Sequence, residues 1–269
     1  MYFKIGDAKY SYTVHGQGTP IVLLHGFTGR ASTWNRLVER LQDKFKIITI
    51  DLPGHGLTST ETPRTMEHCC DDLKQLFKHL QLTSVHLIGY SMGGRTALSF
   101  AMIYPELIKT LTLESASPGL SDAQERARRR AHDEHLIKRI QSNGLKSFVD
   151  FWEEIPLFET QNKLSSHVKQ EVRKERMSQS TEGLIRSLRY MGTGQQPSWW
   201  HQLEQLDHPV QLIVGKLDHK FVTINQQMKQ RFQRAELAIV EHAGHTVHLE
   251  QPDEFERLLT HFIHKHTVC

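Results

Sequence analysis

Ser91 stands inside Gly89-Tyr90-Ser91-Met92-Gly93-Gly94, directly after an apolar run at 84–90 and before a stretch of helical period. A serine hydroxyl is a weak nucleophile or base until a neighbour takes its proton. The G-x-S-x-G spacing predicts a sharp strand-to-helix turn that lifts the hydroxyl clear of the backbone, where side chains at 89 or 93 would collide. The helix that follows offers backbone N–H groups and its positive dipole end to a developing oxyanion. A chance Gly-rich turn is the competing reading, and the strand–turn–helix context argues against it. Such a serine needs a histidine, and the histidine needs a carboxylate to fix its tautomer. In the chain order serine, acid, histidine, Asp218 follows the run at 210–215 and His245 follows the run at 235–240. The chain has 18 His, so residue type alone selects none of them. Position selects His245: His242 is too near the strand end, and His248 falls where the last helix should begin. A second oxyanion donor is expected after the strand at 21–24, in His25-Gly26-Phe27-Thr28-Gly29. We assign the hole to the backbone N–H groups of Phe27 and Met92, although a Gly turn that simply ends a strand accounts for those glycines equally well. Asp51-Leu52-Pro53-Gly54-His55-Gly56 reads as a structural turn.

Arg95 lies four positions after Ser91, in the first turn of the same helix, and so shares its face. A cation there opposes the helix dipole at a cost of about 0.3–1 kcal/mol. An anionic substrate beside the serine would justify that cost. The alternative is a surface arginine whose head reaches solvent.

Positioning these groups requires a particular frame. Apolar runs at 20–26, 46–51, 84–90 and 109–114 are too short for helices and rich in β-branched residues, and helical stretches such as 71–80 separate them. Strands buried on both faces and joined by helices imply an α/β fold with a mostly parallel central sheet and right-handed crossovers. Residues 2–5 and 10–14 read as an antiparallel hairpin at the sheet edge. Between about 117 and 197 no strand pattern occurs; the text is polar and helical, as in residues 124–130 and 169–176. This stretch is expected to form a helical cap inserted between late strands, over a core made of residues 1–116 and 198–269. A final helix at 253–264 closes the chain, and Cys69 and Cys70 fall in a helix with a structural role.

Composition excludes several classes. A chain of 269 residues and 31.1 kDa, with mean hydropathy −0.47, can bury a large core and has no apolar run long enough for a membrane helix. The opening residues 1–7 lack the basic flank, apolar stretch and cleavage site of a secretion signal, so a cytoplasmic location is expected. Three Cys make no disulfide framework. The net charge of +3 is too small to announce a nucleic-acid partner, but it has an address: residues 121–190 hold 14 Lys and Arg against 11 Asp and Glu, leaving 19 of each elsewhere. No Gly-rich phosphate loop or Cys/His metal cluster is present, so no metal or organic cofactor is expected, and no membrane or nucleic-acid partner. A monomer is expected.

His25-Gly26-Phe27, Asp51 to Gly56, Gly89 to Gly94, Asp218 and Ala243-Gly244-His245 together resemble the α/β-hydrolase superfamily over nearly the whole chain outside the cap. That superfamily hosts many chemistries, so fold alone does not settle the reaction. Gly-Tyr-Ser-Met-Gly-Gly-Arg at 89–95, Ser117-Pro118-Gly119-Leu120 ahead of the arginines at 126–130, and Tyr190 to Gln195 resemble one family closely. It is the 2-succinyl-6-hydroxy-2,4-cyclohexadiene-1-carboxylate (SHCHC) synthases of menaquinone (vitamin K2) biosynthesis. The resemblance implies a lyase that expels pyruvate from a tricarboxylate cyclohexene. It further implies Arg95, Arg129 and Arg176 as carboxylate ligands, with Tyr90 and Trp152 lining the pocket. Register within Arg128, Arg129 and Arg130 is not fixed by the motif, and a solvated helix face is the alternative for the cluster. Two other functions fit the same residues: a carboxylesterase or C–C bond hydrolase using Ser91 covalently, and a non-catalytic ligand receptor on the same fold.

Overall fold

The computed structural model describes residues 1–267. The apolar runs become β3 (Pro20–Leu24), β4 (Lys46–Ile50), β6 (Val85–Tyr90), β7 (Ile108–Glu114), β8 (Val210–Gly215) and β9 (Ala235–Val240). Before them lie β1 (Tyr2–Ile5) and β2 (Ala8–His15), and a two-residue β5 (Ser59–Thr60) follows β4. The sheet order is β1-β2-β4-β3-β6-β7-β8-β9, with β5 pairing β2. From β4 to β9 every pairing is parallel, while β1–β2 and β2–β4 are antiparallel, as the expected hairpin requires.

Helices cover both faces: α1 (Asn35–Leu41), α2 (Met66–His79), α3 (Met92–Ile103), α7 (His219–Arg231), the short α8 (Val247–Glu250) and α9 (Pro252–Lys265). The period of two along β3 divides the core. Val22 and Leu24 pack with α2 and α3, whereas Ile21 and Leu23 pack with Trp34, Leu41 and Leu259 on the opposite face. Fully burying one such side chain is worth roughly 1.5–3 kcal/mol. Cys69 and Cys70 are buried in the first of these cores as free thiols, and burial pushes Cys69 up to about 12, leaving it unreactive.

Between β7 and β8 the chain leaves the sheet as α4 (Ala123–Glu153), a 3-10 segment (Pro156–Lys163), α5 (Ser166–Met177) and α6 (Thr181–Met191). Gly144, with φ +75°, breaks α4 into two pieces. Of these, α4 and α6 share their own apolar cluster, including Ile137, Phe148, Leu184 and Leu188, against which Phe27 and Trp152 also pack.

Candidate active site

Ser91 sits between the last residue of β6 and the first of α3, with φ +50°. Only a crowded turn holds a non-glycine there. Its N–H donates to the Glu114 carbonyl at 2.9 Å, tying the turn to β7. A Cβ on Gly89 would run into the Gly93 carbonyl, and one on Gly93 into the carbonyls of Leu24 and His25. The glycines are thus required by the close approach of three backbone segments.

The structure brings Ser91, His245 and Asp218 together from three loops. The Ser91 hydroxyl donates to His245 Nε2 at 3.0 Å, and His245 Nδ1–H donates to Asp218 Oδ2 at 2.6 Å. The other Asp218 oxygen caps α7 by accepting from the Phe221 N–H at 3.3 Å. Glu250 accepts from the N–H groups of Gly244 (2.8 Å) and Thr246 (3.1 Å), clamping the His245 loop on both sides. The two competing histidines are placed elsewhere. His242 is exposed on a turn with φ +60°. His248 lies in α8 rather than at the start of the last helix, and its ring bonds the buried Glu114 at 2.7 Å.

The loop bearing Phe27 is held by the residues of the Asp51–Gly56 turn. Thr28, with φ +67°, donates its N–H to His55 Nε2 at 3.2 Å, and Ala31 donates to Asp51 Oδ1 at 2.7 Å. Leu52 donates to His25 Nε2 at 2.9 Å. Burial lowers His25 from the usual histidine value and lowers His55 to about 3, so both rings accept these bonds in the neutral form. Gln179, in the cap, donates to the carbonyls of Thr28 (3.1 Å) and Gly29 (3.0 Å) and accepts from the Gly56 N–H at 3.0 Å. Among the described residues neither the Phe27 nor the Met92 backbone N–H finds an acceptor, which leaves both free for an oxyanion.

A cavity of about 1090 Å³ opens over Ser91, bordered by Phe27, Tyr90, Met92, Trp152, Phe158 and His245. Its charged lining is mostly cationic: Arg95, Arg129, Lys220 and Arg231, against Glu125. Arg95 donates through Nη1 to Gln196 Oε1 (2.6 Å) and the Met191 carbonyl (2.9 Å). Desolvation, reinforced by the Arg129 charge, lowers Arg95 to about 9, so it stays cationic at neutral pH but lacks a full counter-charge. The Tyr90 hydroxyl bonds the Thr246 hydroxyl at 2.9 Å. Trp152 stacks on Phe148 and meets Phe27 edge-on, with centroids 5.5 and 5.4 Å apart.

Arg176 is not on this cavity. It borders a second one of about 640 Å³, where it pairs with Glu153 at 3.3 Å and Gln161 at 3.2 Å. The Phe158 ring stands between, 4.9 Å from the Arg176 guanidinium and 6.1 Å from the His245 ring. Sequence reasoning also missed several residues that shape the site. Phe158 and Gln179 carry no local signal, since their roles exist only where the cap meets the core. Asp133, buried beside Arg129, could have been noticed from its spacing of four residues.

Comparison with known proteins agrees with the fold. The family model for the α/β hydrolase fold matches residues 19–252. A candidate 2-succinyl-6-hydroxy-2,4-cyclohexadiene-1-carboxylate synthase of Bacillus subtilis (strain 168) is 44% identical over 250 residues, spanning 90% of this chain and 89% of that protein. The structure of MenH from S. aureus superposes with a TM-score of 0.92 at 33% identity, covering 96% of this chain and 99% of the other. A malate-bound thermophilic esterase from Thermogutta terrifontis has a TM-score of 0.84 at 26% identity, covering 97% and 95%. The chain belongs to the α/β-hydrolase family and, within it, to the 2-succinyl-6-hydroxy-2,4-cyclohexadiene-1-carboxylate synthases.

Proposed function

We propose that this protein eliminates pyruvate from 2-succinyl-5-enolpyruvyl-6-hydroxy-3-cyclohexene-1-carboxylate, a step of menaquinone biosynthesis, with Ser91 as the base. The carrying observation is a complete Ser91–His245–Asp218 relay facing a cavity whose charged lining is mostly cationic. A proton leaves the ring carbon next to the succinyl ketone, taken by Ser91 as His245 receives the hydroxyl proton. The electron pair moves through the ring double bond and breaks the C–O bond to the enolpyruvyl group. Enolpyruvate departs and becomes pyruvate on protonation, leaving the cyclohexadiene. The Phe27 and Met92 amides face the charge that develops on the ketone oxygen, and Asp218 holds the imidazole tautomer and stabilises its cation. Arg95 and Arg129 bind carboxylates and hold the reacting C–H over Ser91. None of these steps draws on a metal or organic cofactor.

The cap at 117–197 acts as a lid on a core of 1–116 and 198–269, and we place the protein in the cytoplasm as a monomer without nucleic-acid or membrane partners. Among the described residues no helix is long and apolar enough to cross a membrane.

Incubation with the enolpyruvyl cyclohexene while following pyruvate release tests the reading, with Ser91→Ala as control. An acyl group trapped on Ser91 during turnover would replace the base mechanism by covalent hydrolysis. That alternative draws support from the esterase that shares the fold. Stoichiometric binding without turnover would instead support a receptor.

A further inference from the structure

A substrate with three carboxylates meets a cavity that presents Arg95 and Arg129 but not Arg176. The remaining wall is α7. Lys220, Thr223, Ile224, Gln227 and Arg231 all border the cavity, and spacings of three and four keep them on one stripe of the helix. The stripe is fixed to the catalytic centre at one end. Asp218 caps the helix, and the Phe221 ring packs against the His245 ring with centroids 4.7 Å apart. Lys220 therefore lies in the first turn, two residues from the triad acid. Arg231 lies about 16 Å farther out at the helical rise of 1.5 Å per residue, against the Trp200 ring at 5.9 Å.

Lys220 repeats the anomaly of Arg95. Each is a cation in the first turn of a helix that begins at a triad residue, where the dipole favours an anion. The acid two residues before it is committed elsewhere: Asp218 pairs with His245 at 2.6 Å. Among the described residues no carboxylate pairs with Lys220, whose ammonium lies 5.7 Å from the Phe221 ring. It is exposed to the same space as the serine and has no other charge partner.

We propose that Lys220 binds one carboxylate arm of the substrate, completing with Arg95 and Arg129 a set of three cations for three carboxylates. The inference rests on the tricarboxylate reading given above. An ammonium suits a flexible arm, because it acts as a compact charge with rotatable donors, whereas a guanidinium imposes a planar fork.

The test compares Lys220→Ala, Lys220→Arg and Lys229→Ala. The last removes the same charge from an exposed position of the same helix that does not border the cavity. Lys220→Ala should raise KM about ten-fold while kcat changes by no more than about two-fold. Lys220→Arg should restore most of the loss, and Lys229→Ala should leave KM unchanged. Calorimetric Kd values for the same substrate, measured with each substitution on a Ser91→Ala background, should move in parallel. Unchanged KM and Kd in Lys220→Ala, equal effects at 220 and 229, or no measurable binding of the tricarboxylate would each overturn the proposal. Absence of pyruvate release by the unsubstituted enzyme would instead overturn the lyase reading, and the Kd comparison would then decide Lys220 by itself.

Discussion

Arg129 Nε donates to Asp133 Oδ1 at 2.8 Å across one turn of α4, and this pairing aims one of three consecutive arginines at the serine cavity. Arg128 is exposed, and Arg130 reaches the Gly194 carbonyl at 3.1 Å. Asp133 is only 3% exposed and its second oxygen has no partner. Burial lifts its pKa while the Arg129 charge opposes the rise. Arg129→Ala should raise KM for the tricarboxylate about ten-fold or more, from loss of a charge-assisted contact. Arg128→Ala should be close to neutral. Steady-state kinetics of the two variants decide between them, and equal losses would contradict the register.

Arg95 is the cation nearest the serine along the chain, and Gln196 and the Met191 carbonyl hold it without neutralising it. Arg95→Ala should therefore lower kcat/KM by about 10²-fold or more, since a buried charge loses its partner. The circular dichroism spectrum should not change. Near-normal kinetics would remove the main argument for an anionic substrate.

The φ of +50° at Ser91 stores backbone strain that glycine would not feel. Ser91→Gly should raise Tm by roughly 2–4 °C, the shift for about 1 kcal/mol in a chain of this size. Pyruvate release should fall at least about 10³-fold. Ser91→Ala should lose as much activity without the gain in Tm. Thermal scans of both variants separate strain from chemistry, and equal Tm values would argue against strain at this turn.

Buried histidines set an acid limit on stability. Burial lowers His55 to about 3 and His86 to about 4, with the Lys109 charge adding to the effect on His86. In the unfolded chain each titrates near 6.5. Above that pH neither state is protonated, and stability is complete. As pH falls below 6.5, the unfolded chain takes protons that the folded one refuses, and stability drops until the folded values are reached. Each such histidine adds a slope of up to about 1.4 kcal/mol per pH unit. His86 lies away from the cavity, bonded to Thr110 at 2.7 Å. Urea unfolding of His86→Gln between pH 7 and 5 should show a shallower slope than the unsubstituted protein, with turnover preserved. Parallel curves would refute this assignment.

Gln179 couples the cap to the loop that carries Phe27 through the Thr28 and Gly29 carbonyls and the Gly56 N–H. Gln179→Ala leaves those buried groups short of partners, at a cost of about 1–3 kcal/mol. It also frees the segment that carries the Phe27 amide. We expect a lower Tm and a kcat reduced about ten-fold, in line with loosening one oxyanion donor. A lower Tm with unchanged kcat would show that the latch serves stability alone.

Much of the site was legible because its determinants are local. Short β-branched runs set between helical stretches fit strands better than helices, and Gly89 answers to a steric limit only four residues along, at the Gly93 carbonyl. Asp218 and His245 could be chosen because each follows a strand of the parallel sheet, and a parallel sheet brings such loops to one edge. His55 and Asp51 read correctly as structural, but the strands they connect could not reveal that they hold the Thr28–Ala31 segment.

The remainder depended on surfaces that meet only in three dimensions. Arg129 and Arg130 each have an acid four residues later, Asp133 and Glu134, so spacing could not choose between them. Burial chose Asp133, while Glu134 pairs with Arg189 at 3.2 Å. Arg176 follows a family motif, yet the Phe158 ring separates it from the serine cavity. Lys220 reads in sequence as a solvated charge on a surface helix, and only the fold places it on the border of the serine cavity. Sequence alone determined the fold and singled out Ser91, Asp218 and His245, which the structure links by hydrogen bonds, because backbone sterics and strand order act along the chain. Tertiary structure decided which cations border the serine cavity, because that depends on which side chains the cap and core enclose between them.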